Sequence, residues 1–143
     1  ASPDQGGIER ARKFGISFFG DDDFHMAVTE KKRDNKRIHQ SKALDLYGDV
    51  NGKICILVDD IATSAGTLIH SAELCMKHGA TKVVAAVTHH DFSPKAVERI
   101  MNSPIELFFT TNTIQLNEIY NFEKLREISV APLIANDLAY LLR

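Results

Sequence analysis

The chain has no tryptophan, only two cysteines and four prolines in 143 residues, and no surplus of either charge. Each scarcity excludes something. Seventeen Lys and Arg stand against nineteen Asp and Glu, a net charge of −2 that offers no reason to expect nucleic acid or a membrane surface as the partner. No apolar run approaches the roughly 20 residues needed to span a bilayer, and the first residues carry no apolar signal region. Two cysteines cannot frame a disulfide scaffold. Cys55 and Cys75 also lack ligand spacing, so buried free thiols in a reducing cytoplasm are expected. What remains, 44% apolar and 25% charged, is ordinary for a single soluble domain with a proper core.

The informative stretch runs from Ile54 to Thr67. It begins as a continuous apolar run, the pattern of a parallel strand buried on both faces, and is expected to stop on the adjacent acids Asp59 and Asp60. Thr63, Ser64, Ala65 and Gly66 follow, and Thr67 opens a helix expected over Leu68–His78, with Gly79 as its stop. Backbone N–H groups and hydroxyls at a helix start can hold a phosphate dianion, helped by roughly half a positive charge from the helix dipole. Two carboxylates at the strand end can accept from a ribose diol or hold a magnesium ion through its waters. A solvated turn with an acidic N-cap accounts for the same residues.

Before this stretch, Ser2-Pro3-Asp4-Gln5-Gly6-Gly7 reads as a loop whose proline and glycines let backbone approach a ligand near Asp4. No strand precedes it, the first hint of a fragment. A helix over Ile8–Phe14 and a strand over Phe24–Val28 come next. Thr29–Ser41 is rich in Lys and Arg with no apolar face, so it is expected to be a mobile loop. Such a cationic loop is either plain solvated surface or a lid that closes over a polyphosphate and neutralises developing charge. Ala43–Leu46 should complete a hairpin with Phe24–Val28.

Beyond Gly79 the pattern gives a strand over Lys82–Val87, then a helix over Ser93–Met101 with Pro94 in its first position. A strand over Ile105–Phe109, a short strand over Leu125–Val130 and an apolar helix over Pro132–Leu142 complete the chain. Alternating strands and helices on short loops imply an α/β fold, a mainly parallel twisted sheet with helices on both faces. Ligands bind such folds beyond the carboxyl ends of the strands, where Asp59, Asp60, His89 and Asn112 all fall. His89 and His90 point opposite ways in extended chain and cannot easily share a metal. For His89, pocket lining and a structural hydrogen bond both remain open.

These residues together resemble the ribose-phosphate diphosphokinase (PRPP synthetase) family, which has a phosphoribosyltransferase-type fold. Val58-Asp59-Asp60-Ile61-Ala62-Thr63-Ser64-Ala65-Gly66-Thr67 is similar to its ribose-5-phosphate loop. Ser2-Pro3-Asp4 with Gly6-Gly7 and Arg10-Ala11, Glu30-Lys31-Lys32-Arg33, Gly48-Asp49-Val50, Thr88-His89 and Thr111-Asn112-Thr113-Ile114 resemble five further signatures. The resemblance covers nearly the whole chain and implies one domain, residues 1–143, equivalent to the family's C-terminal half.

It implies transfer of diphosphate from ATP to the anomeric hydroxyl of ribose 5-phosphate, giving PRPP and AMP with Mg2+. Lys31 and Arg33 would stabilise the transferred group. Asp59 and Asp60 would face the ribose hydroxyls, Thr63, Ser64, Ala65, Gly66 and Thr67 would surround the 5-phosphate, and Asp4 would contact magnesium or substrate. A homo-oligomer, or a partner chain carrying the absent N-terminal domain, would complete the enzyme. Two departures stand out: Thr63 occupies a position where the family usually has Asp, and Ser64 one where it has Thr. They leave room for a non-catalytic PRPP- or phosphate-sensing subunit. A phosphoribosyltransferase fits less well, because the Lys31/Arg33 loop is not that pattern.

Overall fold

The computed structural model describes residues 1–31 and 44–142, with every side chain there except those of Lys31 and Leu44. The first helix, α1 (Ile8–Phe19), runs past its expected end at Phe14. Gly15 explains the extension. A Cβ there would come within 2.2 Å of the Phe24 ring, so the glycine makes room for a packed aromatic and does not break the helix. Phe24 also stacks on Phe19, with ring centroids 5.4 Å apart. It therefore belongs to the cover of α1, and the strand expected over Phe24–Val28 begins only at Val28. That strand, β1 (Val28–Lys31), pairs antiparallel with β2 (Leu44–Tyr47), placing Val28 opposite Tyr47 and Lys31 opposite Leu44. Thr29, Glu30 and Lys31 are thus strand residues at the head of the expected loop. Its remainder falls in 32–43, outside the described residues, as does Arg33.

Next comes β3 (Ile54–Ala62), which continues through both acids instead of stopping on them. The reason is its neighbour β4 (Lys82–His90). Their parallel register runs from Ile54 opposite Lys82 to Ala62 opposite His90, so the ladder holds the acidic segment extended. Between them, α2 (Gly66–Lys77) starts slightly earlier than expected, and Gly79 leaves it in the left-handed region with φ 89°. After β4, α3 (Ala96–Met101) is shorter than Ser93–Met101. The Ser93 N–H is bonded to the Thr63 carbonyl at 3.0 Å, which keeps Ser93 and Pro94 in the connection. Then follow β5 (Ile105–Thr111), a 3-10 turn over Glu118–Tyr120, β6 (Leu125–Ile128) and α4 (Ala131–Leu141).

The four strands from β3 to β6 form a parallel sheet in sequential order. Residues 1 and 2 fasten the β1–β2 hairpin to it. The Ala1 amine donates to the Ile56 carbonyl and the Val58 N–H to the Ala1 carbonyl, while Ser2 forms a parallel bridge to Val28. Side chains alternate across β3. Cys55 meets Cys75 of α2, both buried and unbridged. Ile56 and Val58 line a cavity of about 350 Å3 with Ala11, Phe14 and Gly15 of α1. Helices therefore cover both faces, as the element pattern implies. Leu57, Leu68, Val83, Ile100, Ile105 and Phe108 are fully or almost fully buried at the centre. Each contributes roughly 1.5–3 kcal/mol through burial, enough to hold the carboxyl edge of the sheet as a firm platform.

Candidate functional site

The platform's carboxyl edge gathers what the sequence singles out. Asp59 and Asp60 lie on β3 and His89 on β4, and Asn112 follows β5. From this edge the chain turns through residues 63–65 into α2. Ala65, the N-cap, takes φ 54° and ψ 10°, a left-handed conformation that costs a non-glycine residue about 1 kcal/mol. The turn is held from the side of the β4–α3 connection, where Asp91 N–H donates to the Ala62 carbonyl and Ser93 N–H to the Thr63 carbonyl, both at 3.0 Å. Carbonyl and amide in one planar peptide point in opposite directions. With the carbonyls of Ala62 and Thr63 facing that connection, the N–H groups of Thr63 and Ser64 point away from it. At Gly66 the amide makes one long bond, 3.4 Å, to Ser64 Oγ. A turn of this kind at the positive end of a twelve-residue helix suits an anion. Thr63 and Ser64 are exposed at its rim, Gly66 and Thr67 half-buried, and Ala65 buried.

Beside the turn, one guanidinium grips both acids. Arg10 Nη1 lies 2.7 Å from Asp59 Oδ1 and its Nη2 lies 2.9 Å from Asp60 Oδ2. Backbone amides engage the same carboxylates: Asp60 N–H donates to Asp59 Oδ1 at 2.9 Å, and Ile61 N–H to Asp60 Oδ1 at 2.8 Å. The two acids are driven apart electrically. Burial pushes the Asp59 carboxyl up, aided by the neighbouring Asp60 charge. Asp60 also feels a desolvation push upward, but the Arg10 charge and the Ile61 hydrogen bond outweigh it and hold the group below its ordinary value. Sequence reading placed Arg10 in a motif without giving it a role. Its partners stand 49 and 50 positions away, beyond what local pattern reports.

The other candidates divide. Asp4 is exposed and accepts the Gly7 N–H at 2.8 Å through Oδ1, so it shapes the entry to α1. Lys31 closes β1, and its side chain is outside the described set, as is all of Arg33. His89 Nδ1 pairs with Thr113 Oγ1 at 2.7 Å, and Thr113 Oγ1 in turn donates to the Thr88 carbonyl at 3.2 Å. The structural hydrogen bond weighed for His89 is therefore present. His90 turns the other way, buried, with Nδ1 3.1 Å from Thr110 Oγ1. Asn112 Oδ1 accepts the Val130 N–H at 2.9 Å and ties β5 to the start of α4. Among the described residues no group of three or more His, Cys, Asp or Glu side chains is placed to hold a metal.

A parallel α/β sheet with a turn suited to an anion and a pair of acids at its carboxyl edge belongs to the class of open-sheet α/β domains, whose ligands bind at that edge. The relatives narrow the class. Residues 22–142 match the family described as phosphoribosyl synthetase-associated domain, and the chain belongs to that family. It is 40% identical over 135 residues to a ribose-phosphate pyrophosphokinase of Marinomonas sp. (strain MWYL1), covering 94% of this chain and 41% of the relative. It is 42% identical over 137 residues to the ribose-phosphate pyrophosphokinase of Aquifex aeolicus, covering 93% and 40%. The crystal structure of phosphoribosylpyrophosphate synthetase from Mycobacterium smegmatis superposes with a TM-score of 0.83 at 32% identity, covering 99% of this chain and 43% of that one. The chain thus spans about two fifths of the length of the relatives it matches.

Proposed function

We propose that this chain is the C-terminal domain of a ribose-phosphate pyrophosphokinase, and that its carboxyl edge holds ribose 5-phosphate. The observation that carries the reading is the turn at 63–67 lying directly beside two acids that one arginine holds together. The turn binds the 5-phosphate, and Asp59 and Asp60 accept from the ribose hydroxyls. In the reaction the anomeric hydroxyl attacks the β-phosphorus of ATP. A new C–O–P linkage forms, the bond to the α-phosphate oxygen breaks, and AMP leaves. Lys31, the last residue of β1, and Arg33, two positions on in the sequence, place positive charge on the transferred diphosphoryl group.

Magnesium fits this donor set in one particular way. Arg10 and backbone amides already occupy Asp59 Oδ1 and both Asp60 oxygens. Among the described residues these acids therefore form no closed protein cage. Asp59 and Asp60, with Asp4 at the adjoining loop, would hold the ion through water and substrate oxygens, the usual arrangement for magnesium with phosphates. When bound, the ion neutralises charge on the phosphates. Completion of the active enzyme falls to further copies of the chain, or to a partner chain bearing the other domain.

Thr63 favours a second reading. It is an exposed hydroxyl at a position where the resemblance leads one to expect a carboxylate, so a PRPP- or phosphate-sensing subunit is the alternative. Two measurements separate the readings. The longer protein containing this chain, given ATP, magnesium and ribose 5-phosphate, should release AMP and PRPP, and none at all would rule out the kinase. The Thr63→Asp variant should then turn over faster. No gain, together with regulation of a partner enzyme, would favour the sensor. A thermal-melt titration tests the sugar-phosphate site itself. At about 100 times Kd, ribose 5-phosphate should add roughly 2.7 kcal/mol, a rise of several degrees in Tm. A flat response to ribose 5-phosphate and PRPP alike would count against the site.

A further inference from the structure

We infer that Arg99 on α3 is a positioning residue that locks the peptide between Ser64 and Ala65 so that its amide faces the anion. This rests on the sugar-phosphate reading of the turn. Arg99 bonds to neither acid but packs against the turn itself, where a Cβ on Gly66 would come within 3.2 Å of its Nη2. Its Nη1 donates to the Ser64 carbonyl at 3.0 Å, across 35 positions of sequence. That bond completes a series. The carbonyls of Ala62, Thr63 and Ser64 are each held by the segment from Asp91 to Arg99, the first two through backbone amides and the third through this side chain.

Backbone ladders repeat wherever strands run side by side, but α3 has already turned away by the third position, so a long side chain must reach back. The consequence follows from peptide planarity. Fixing the Ser64 carbonyl toward α3 aims the Ala65 N–H the opposite way, in line with the amides of Thr63 and Ser64. It also stabilises the left-handed Ala65, whose φ of 54° costs energy without an anchor. Three successive amides turned to one side form the concave nest that anions occupy. Arg99 therefore acts on phosphate through the backbone of residues 64 and 65. Its exposure means that the side chain can be truncated without opening the core.

The test uses Arg99→Met, which keeps the aliphatic stem, and Arg99→Lys, which keeps charge and a donor. Backbone amide NMR of the ligand-free proteins is the first readout. In the Met variant the Ala65 and Gly66 signals should shift and broaden while those of Val83 and Phe108 stay in place, and Lys should restore them in part. Calorimetric titration with ribose 5-phosphate is the second. The Met variant should bind about 10-fold more weakly, equivalent to about 1.4 kcal/mol. The ratio should persist in about 0.5 M KCl, where screening acts within about 4 Å. If the ratio vanishes in high salt, Arg99 acts as a distant charge and the anchoring role is overturned. Equal affinity of wild type and Met variant with unmoved Ala65 and Gly66 signals also overturns it, while leaving the sugar-phosphate reading intact. A wild type that binds no ribose 5-phosphate overturns that reading instead, and Arg99's part in phosphate binding with it.

Discussion

Asp59 and Asp60 are neighbours on one strand and share one arginine, yet their pKa values are shifted in opposite directions. Asp59 is the more buried of the two side chains, 16% against 55% exposed, and burial penalises its charged form. Burial thus makes the Asp59 charge costly to the fold, a perturbation of the kind that clusters at functional sites. Replacing Asp59 by Asn keeps the acceptor for the Asp60 amide and removes the penalised charge. Its Tm at neutral pH should be unchanged or slightly raised, while ribose 5-phosphate binding weakens about 10- to 100-fold through loss of a charged acceptor. Calorimetry and a thermal melt on one preparation check both halves, and a large fall in Tm would contradict the assignment. Acid titration follows with its sign fixed. Asp60, held below its ordinary value, contributes stability above its unfolded pKa and loses it as pH falls through the folded one. Asp59, raised by burial, opposes this: its contribution is present at low pH and disappears as pH rises through its folded value. In Asp59→Asn only the Asp60 trend remains, so urea stability between about pH 3 and pH 5 should climb more steeply than in wild type.

At the scale of elements, three pieces meet at a buried polar knot. Thr29 of β1, Ser71 of α2 and the Pro3 carbonyl are joined by Thr29 Oγ1 to Pro3 O at 2.8 Å and Thr29 Oγ1 to Ser71 Oγ at 2.7 Å, with both hydroxyl residues about 1% exposed. Thr29 stands two residues before Lys31, so the knot sets β1 against the helix that follows the turn at 63–65. Thr29→Val keeps the shape and deletes the donor, leaving buried acceptors short of a partner, and should cost about 1–3 kcal/mol. Adding Ser71→Ala should cost less than the sum of the two single losses, because the residues share one bond. Denaturant melts of the four proteins measure this, and strict additivity would refute the coupling. The knot also marks the limit of sequence reading. Helices on both faces of a parallel sheet and acids on its carboxyl edge were legible, because apolar runs and small-residue turns are local. Thr29 with Ser71, Arg10 with Asp59, and Arg99 with Ser64 join residues 35 to 49 positions apart, and no local period carries such pairs. The misplaced boundaries have the same origin. β3 runs through its acids because β4 lies alongside, and α1 runs through Gly15 because Phe24 fills the space.

Across the whole molecule the unbalanced feature is the far end. No residue of α4 is buried, and Leu133, Ile134, Leu138, Tyr140 and Leu141, together with Leu142 beyond it, are all at least half exposed. Ile128 on the last strand adds to the same region of the chain, 54% exposed. A helix that is apolar and uncovered is not a solvated surface helix, whose outer face is polar. Apolar patches of that kind mark surfaces that other protein covers. Burial is worth roughly 1.5–3 kcal/mol for each large side chain, so a few of these residues outweigh much of the entropic cost of association. The chain also spans only two fifths of the length of its relatives. By itself the chain should therefore self-associate through α4. Changing Leu138 and Leu142 together to Glu should leave the fold intact, since neither is buried, and shift the protein to monomer in sedimentation velocity at micromolar concentration. Ribose 5-phosphate binding should survive in that monomer, because α4 follows the last strand of the parallel sheet and the turn proposed to bind the phosphate follows the first. A wild type that is already monomeric, or a double variant that still associates, would remove α4 from the interface.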